Sequence, residues 1–133
     1  MKNARGYIFS RPFMGERVPQ HIQNLVIRDY CDRNKLNYLL SVSEYSMENC
    51  YLILQNALDE LKNKEIEGLV AYSIFQMPQD DVERNKIFSK IIKMKKTIHF
   101  SVERLSLSNE EDKQRIENIW LVKKTLPFCL SKF

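Results

Sequence analysis

No stretch of this chain approaches the ~20 consecutive apolar residues that span a bilayer, and Met1-Lys2-Asn3 does not open a signal peptide. Neither a membrane nor a secreted location is expected; a cytoplasmic one is. Cysteine is limited to Cys31, Cys50 and Cys129, an odd number with no CxxC spacing, so a disulfide framework is excluded and reduced thiols are expected. The two histidines, His21 and His99, lie far apart, which leaves no zinc-ligand pattern, and no metal is expected. No G-x-G-x-x-G or Walker stretch occurs, so dinucleotides and ATP lack their usual cradle and no cofactor is expected. Charge of one sign is not blocked anywhere. The net charge of +4 comes from lysines and arginines spread among acidic residues, the pattern of a solvated face and not of a specific nucleic-acid patch.

Punctuation is scarce too, with three glycines and four prolines, so each break carries weight. What is present is an ordinary globular composition, 44% hydrophobic and 29% charged over 133 residues, which predicts one domain over 1–133. Gly6 to Phe9 reads as a first strand. Pro19 suits the first turn of a helix that runs to about Arg33 with Ile22, Leu25, Val26, Tyr30 and Cys31 on its apolar face. Asn37 to Val42 is a second strand. Ser46 is placed to cap a second helix bearing Tyr51, Leu54, Leu58 and Leu61. The near-continuous apolar run Leu69 to Phe75, directly after Gly68, marks a strand buried on both faces. Asp80 with Glu83 opens a third helix carrying Ile87, Phe88, Ile91 and Ile92. Thr97 to Val102 is a fourth strand, and Ser108 with Glu111 opens a fourth helix with Ile116, Ile119 and Trp120. Thr125 to Phe133 reads as a partly apolar tail broken at Pro127. Together with Trp120 it is a candidate contact surface. Four strand–helix alternations predict an α/β fold, an open and mostly parallel four-stranded sheet with helices on both faces.

In such a sheet ligands bind outside the carboxyl ends of the strands. Strand one delivers Ser10, Arg11, Glu16 and Arg17, with Tyr7 inside it and Gln20 just beyond. Strand two delivers Ser43 and Glu44, followed by Glu48 and Asn49. Strand three delivers Tyr72, Ser73 and Gln76, and strand four Glu103 and Arg104. Carboxylates facing arginines among amides and a tyrosine suit a polar ligand such as a sugar phosphate or nucleotide sugar. In that reading Arg11 and Arg17 hold phosphate or carboxylate. Glu44, Glu48 and Glu103 are acid–base candidates, and Gln20, Asn49, Tyr72 and Gln76 orient hydroxyls. Bland readings stand beside these. Arg11 and Glu44 pair across adjacent loops, Glu48 complements a helix dipole, Tyr7 and Tyr72 are core residues, and Ser10 has no base to activate it.

The first strand and its loop resemble the catalytic domain of serine recombinases, which begins Tyr-x-Arg-Val-Ser with a glutamine thirteen residues after the tyrosine; Tyr7 and Gln20 have that separation. The family's signature arginine is replaced here by Phe9, and its nucleophilic serine position falls on Arg11, with Ser10 one residue early. Where the family reads Lys-Leu-Asp-Arg-Leu-Gly-Arg on strand three, this chain has Ser73-Ile74-Phe75-Gln76-Met77-Pro78-Gln79. The resemblance implies the resolvase-like architecture, with a homodimer through the last long helix, and its departures imply loss of DNA cleavage. Segments Arg5 to Phe13, Glu16 to Gln20, Ser43 to Tyr45 with Met47 to Cys50, and Tyr72 to Pro78 are similar to the sporadic carbohydrate cluster proteins, small bacterial proteins encoded among genes for surface-polysaccharide sugars. That resemblance implies a role in surface-carbohydrate biosynthesis, binding an activated or phosphorylated sugar, with isomerisation, epimerisation or elimination as the candidate reactions. The alternative is a non-catalytic partner of an enzyme of that pathway.

Overall fold

The computed structural model describes residues 2–13, 17–47 and 50–130, and the side chains of all of these except 125–130. In chain order it runs β1 (Lys2–Phe9), α1 (Gln20–Arg33), β2 (Leu36–Glu44), α2 (Leu52–Glu60), β3 (Ile66–Ala71), a 3-10 turn (Ile74–Gln76), α3 (Asp81–Lys93), β4 (Thr97–Phe100), β5 (Leu105–Leu107) and α4 (Glu110–Leu130). The sheet order is β2-β1-β3-β4-β5. The first three pairings are parallel, and β5 returns antiparallel to β4. The α/β architecture is therefore the expected one, with a three-residue fifth strand added at one edge. That strand is too short for its period to stand out from a turn.

Side-chain alternation divides two cores. Tyr7 and Phe9 of β1, Leu69 and Ala71 of β3, and Ile98 and Phe100 of β4 point to one face. There they meet Leu54 and Leu58 of α2, Ile87, Phe88 and Ile91 of α3, and Ile116 and Trp120 of α4. Ala4, Ile8 and Val70 point to the other face, against Ile27, Tyr30 and Cys31 of α1. Alternation with period two makes this split automatic once both faces are covered. Burial pushes the Cys31 thiol up to about 11, with Asp32 adding to it; Cys31 is a packing residue, as expected. Gly68 is required where β3 passes β4: a Cβ there would stand 2.1 Å from the Thr97 carbonyl oxygen.

Several local expectations shift. The buried face of α1 is Gln23, Ile27, Tyr30 and Cys31, while Ile22 and Leu25 are 37% and 59% exposed. A polar residue in the buried stripe displaces the apparent face. Helix α2 begins at Leu52, and Ser46 does not cap it. The buried run ends as a strand at Ala71, and Ile74 to Gln76 turn away into the 3-10 segment, capped reciprocally by Ser73 and Gln76. Asp80 caps α3 through the Val82 amide. At α4 the Asn109 side chain accepts from Asp112, whose carboxylate in turn accepts from the Ser108 amide and hydroxyl, in place of a Ser108–Glu111 box. Helix α4 continues through Pro127 to Leu130, and Trp120, fully buried, is core and not contact surface.

Candidate functional site

The carboxyl ends of β1, β2 and β3 meet along one rim, and of the polar residues expected there Arg11, Glu44, Ser73 and Gln76 turn inward and are buried. Glu44, at the end of β2 and almost fully buried, accepts from the Tyr7 hydroxyl at 2.8 Å and from the backbone amides of Ile53 and Leu54 at 3.0 and 2.9 Å. Its carboxylate thus does for α2 what no N-cap side chain does, filling two of the orphan donors of the first turn. Burial, then the Glu44 charge and hydrogen bond, hold the Tyr7 phenol protonated well above its ordinary range.

Arg11 is buried as well. Its Nη1 donates to the carbonyls of Tyr45, Met47 and Cys50 at 2.8, 2.8 and 2.9 Å. Its guanidinium lies 4.3 Å from the Phe9 ring centre and 5.0 Å from that of Tyr51, so two aromatic faces hold it in place. Arg11 and Glu44 share no ion pair among the described residues. The arginine gathers the loop after β2, and the carboxylate anchors the helix that follows it.

The third knot is an amide pair. Gln23, buried in α1, accepts from the Phe9 amide and donates to the Phe9 and Val18 carbonyls, all at 2.9 Å. Gln76 donates to Gln23 at 2.8 Å and accepts from the Tyr72 amide at 3.0 Å. Ser73 and the Ile74 amide donate to Glu103 at 2.8 and 2.9 Å, which ties the turn after β4 to the turn after β3. Ser10 donates to the Glu44 carbonyl at 3.0 Å, and Gln20 to Ser43 at 2.8 Å. The ring of Tyr72 meets Phe13 edge-on at 6.0 Å between centroids. Arg17 is exposed. Glu16, Glu48 and Asn49 lie outside the described residues.

Behind this layer the rim opens into a hollow of about 710 Å3 between the amino-terminal ends of α2 and α3. It is lined by Cys50, Tyr51, Leu52 and Gln55 on one side and Pro78, Gln79, Asp80, Glu83 and Ile87 on the other. The converging residues support its walls. Arg11 holds the Cys50 carbonyl and packs under Tyr51, Glu44 fixes the turn that carries Leu52 and Gln55, and Arg84 fixes the facing wall. That arginine is 1% exposed. It donates through Nη1 to the Pro78 and Gln79 carbonyls at 3.0 and 3.2 Å and through Nη2 to Asp81 and Glu117, both at 2.6 Å. Its plane lies 4.4 Å from the Trp120 ring centre. Neither Gln23 nor Arg84 is nominated by the sequence reading, since each is a polar residue within an otherwise apolar stripe. The available signal is spacing: 23, 27, 30, 31 and 84, 87, 88, 91 each trace one helix face.

Chemically, the hollow offers two carboxylates (Asp80, Glu83), two primary amides (Gln55, Gln79) and one phenol (Tyr51), with exposed Leu52 and buried Ile87 as its apolar lining. No group of three or more His, Cys, Asp or Glu among the described residues is gathered as metal ligands, and among those residues no helix is long and apolar enough to cross a membrane.

Comparison with solved structures places the fold. The chain is similar to the N-terminal catalytic domain of TP901-1 integrase, with a TM-score of 0.55 and 14% identity over 95% of this chain and 98% of that one. It is similar also to a resolvase family site-specific recombinase from Streptococcus pneumoniae, with a TM-score of 0.60 and 7% identity over 97% of each chain. No protein-family model matches the chain, and no curated protein matches it significantly in sequence.

Proposed function

We propose that this resolvase-like domain binds the sugar ring of an activated or phosphorylated sugar in the hollow between α2 and α3, as a protein of bacterial surface-carbohydrate biosynthesis, and does not act as a serine recombinase. The observation that carries the proposal is the lining: two carboxylates and two amides carried on backbone that Arg11, Glu44 and Arg84 brace. Each carboxylate has a second oxygen beyond the one that takes the Val82 amide in Asp80 or Lys86 in Glu83 with which to accept from a hydroxyl, each amide can both donate and accept, and a phenol with an apolar neighbour suits the mixed faces of a pyranose. Asp80 and Glu83 repel a phosphate placed directly between them, so selection acts on the sugar and any phosphate projects outward. The integrase's fold comes to this chain without its chemistry. The hydroxyl of Ser10 is spent on a backbone carbonyl, and one nitrogen of the Arg11 guanidinium, Nη1, on three more. Glu44 and Glu103 have their oxygens taken up by backbone amides and hydroxyls, which favours binding over acid–base chemistry at these positions.

Calorimetric titration with a panel of nucleotide sugars, sugar 1-phosphates and the matching free sugars tests this. Binding by at least one sugar, lost in Glu83→Ala and Gln79→Ala while melting temperature holds, is expected. Heat from none of the panel, or binding indifferent to both substitutions, overturns it.

A further inference from the structure

Among the described residues helix α1 is alone on its side of the sheet, since α2, α3 and α4 all pack on the other face. The α1-side residues of β4 are left partly open, and a hollow of about 430 Å3 lies beside them at the amino ends of the strands. Its polar lining includes Lys2 and Asn3 of β1, Lys35 after α1, Glu67 of β3, and Thr97 and His99 of β4. One of these is held in place. The His99 ring tilts against that of Tyr30 at 5.4 Å between centroids, and the Tyr30 hydroxyl lies 2.8 Å from His99 Nδ1. Burial, with the Cys31 thiol adding to it, keeps the phenol protonated, and Nδ1 is the one acceptor it reaches among the described residues. The ring's own proton then sits on Nε2, which has no partner among those residues. Lys2 and Lys35 are exposed and form no ion pair with a described carboxylate.

The charges choose the ligand. Two lysines against one carboxylate and the roughly half negative charge at the carboxyl end of α1 leave the hollow positive. Asn34 lessens the last contribution, because its amide and its side chain both donate to the Tyr30 carbonyl, at 3.0 and 2.8 Å. The Lys2 charge already reaches the imidazole, where it works with burial to keep the ring neutral; the two groups face the same space. We propose that this hollow binds the phosphate of a phosphate monoester, with His99 Nε2 and the ammonium groups of Lys2 and Lys35 as donors. Three donors match the three terminal oxygens of that group. Glu67, without a partner among the described residues, accepts from a hydroxyl of the esterified molecule, which favours the ester over the free ion. The site lies on the opposite side of the sheet from the hollow between α2 and α3 and does not depend on what binds there.

The chain has two histidines, so NMR of the full chain reads the ring signals of His99 beside those of His21, which is exposed. Inorganic phosphate, glycerol 3-phosphate and glycerol are titrated near neutral pH at constant ionic strength. A saturable shift at His99 with glycerol 3-phosphate is expected, with none at His21 and none from glycerol. The Lys2→Ala/Lys35→Gly double variant should bind roughly tenfold more weakly. Both positions are exposed, and glycine suits the left-handed backbone at Lys35, φ 56°, so its melting curve should match the parent. Glu67→Gln should erase the preference for the ester over inorganic phosphate. No saturable shift at His99, equal shifts at both histidines, or an unchanged midpoint in the double variant overturns the site. Equal binding of phosphate and its ester by the parent overturns the assignment to a monoester.

Discussion

Gln76 and Gln23 meet head to head, Nε2 of one donating to Oε1 of the other at 2.8 Å, with both side chains fully buried. Through them the end of β1, the start of α1 and the turn after β3 share one hydrogen-bond network. Replacing Gln23 by leucine keeps the bulk but strands the Phe9 amide and two carbonyls away from water, at about 1–3 kcal/mol for each group left unpaired. A loss of roughly 3 kcal/mol is expected for Gln23→Leu, with a smaller loss for Gln76→Leu, read from urea unfolding midpoints at unchanged slope. Equal stability of both variants and parent would show that the network contributes nothing.

Glu44 joins a phenol to the first turn of α2. Glu44→Ala removes the acceptor for two backbone amides and for Tyr7, and the expected cost is about 2–3 kcal/mol. Glu44→Gln retains an acceptor oxygen and should cost less than half as much. Hydrogen exchange locates the effect: the amides of Ile53 and Leu54 should lose protection first.

Arg84 makes a different kind of brace, one charge serving α3, α4 and the Pro78–Gln79 backbone. Arg84→Met leaves Glu117 without its partner and is expected to cost about 3 kcal/mol. Arg84→Lys keeps the charge but not the planar fork that reaches several acceptors at once, so it should recover under half of that loss. Chemical denaturation of the two variants separates fork geometry from charge.

His99 is where acid is expected to act on the fold. Burial, with the Lys2 charge adding to it, pulls its imidazole down to about 4, and Tyr30 hydroxyl and His99 Nδ1 lie 2.8 Å apart. In the unfolded chain the ring takes up its proton near pH 6.5 and in the fold only near 4. Between those values the unfolded state binds the extra proton, so stability falls as pH drops through that window. The contribution is roughly 3 kcal/mol at the pKa of about 4. Thermal melts from pH 7 to 4 should decline steeply for the parent and less for His99→Gln. Parallel declines would assign acid sensitivity to other groups.

Much of the architecture is legible in the residues. The Gly68-led run, the apolar spacing of α2 and α3, and the sparse breaks place four strands and four helices in the right order. Strand ends are legible too, because Glu44, Ser73 and Gln76 do gather at one rim. What spacing does not carry is direction. A buried carboxylate that caps a helix and one that faces a ligand occupy the same place in a strand–loop–helix pattern. Only the partners of Glu44 (the Ile53 and Leu54 amides) tell them apart. Gln23 and Arg84 escape notice for a related reason. An amide or guanidinium inside an apolar stripe reads as a break in the stripe, whereas here each is buried because every donor it has finds an acceptor. Strand β5 escapes because three residues are fewer than any period can reveal.

Strand β1 lies between β2 and β3, which gives the chain an order of assembly. An inner strand of the sheet is thus synthesised before either of its neighbours. It gains one neighbour when residues 36–44 appear, and stays open along its other edge until residues 66–71 follow. For that interval Ala4, Tyr7, Ile8 and Phe9 form a sticky half-paired ribbon, open to a neighbouring nascent chain as readily as to its own. Slow translation of the segment between the two arrivals would therefore lower the soluble yield of this protein without changing a single native contact.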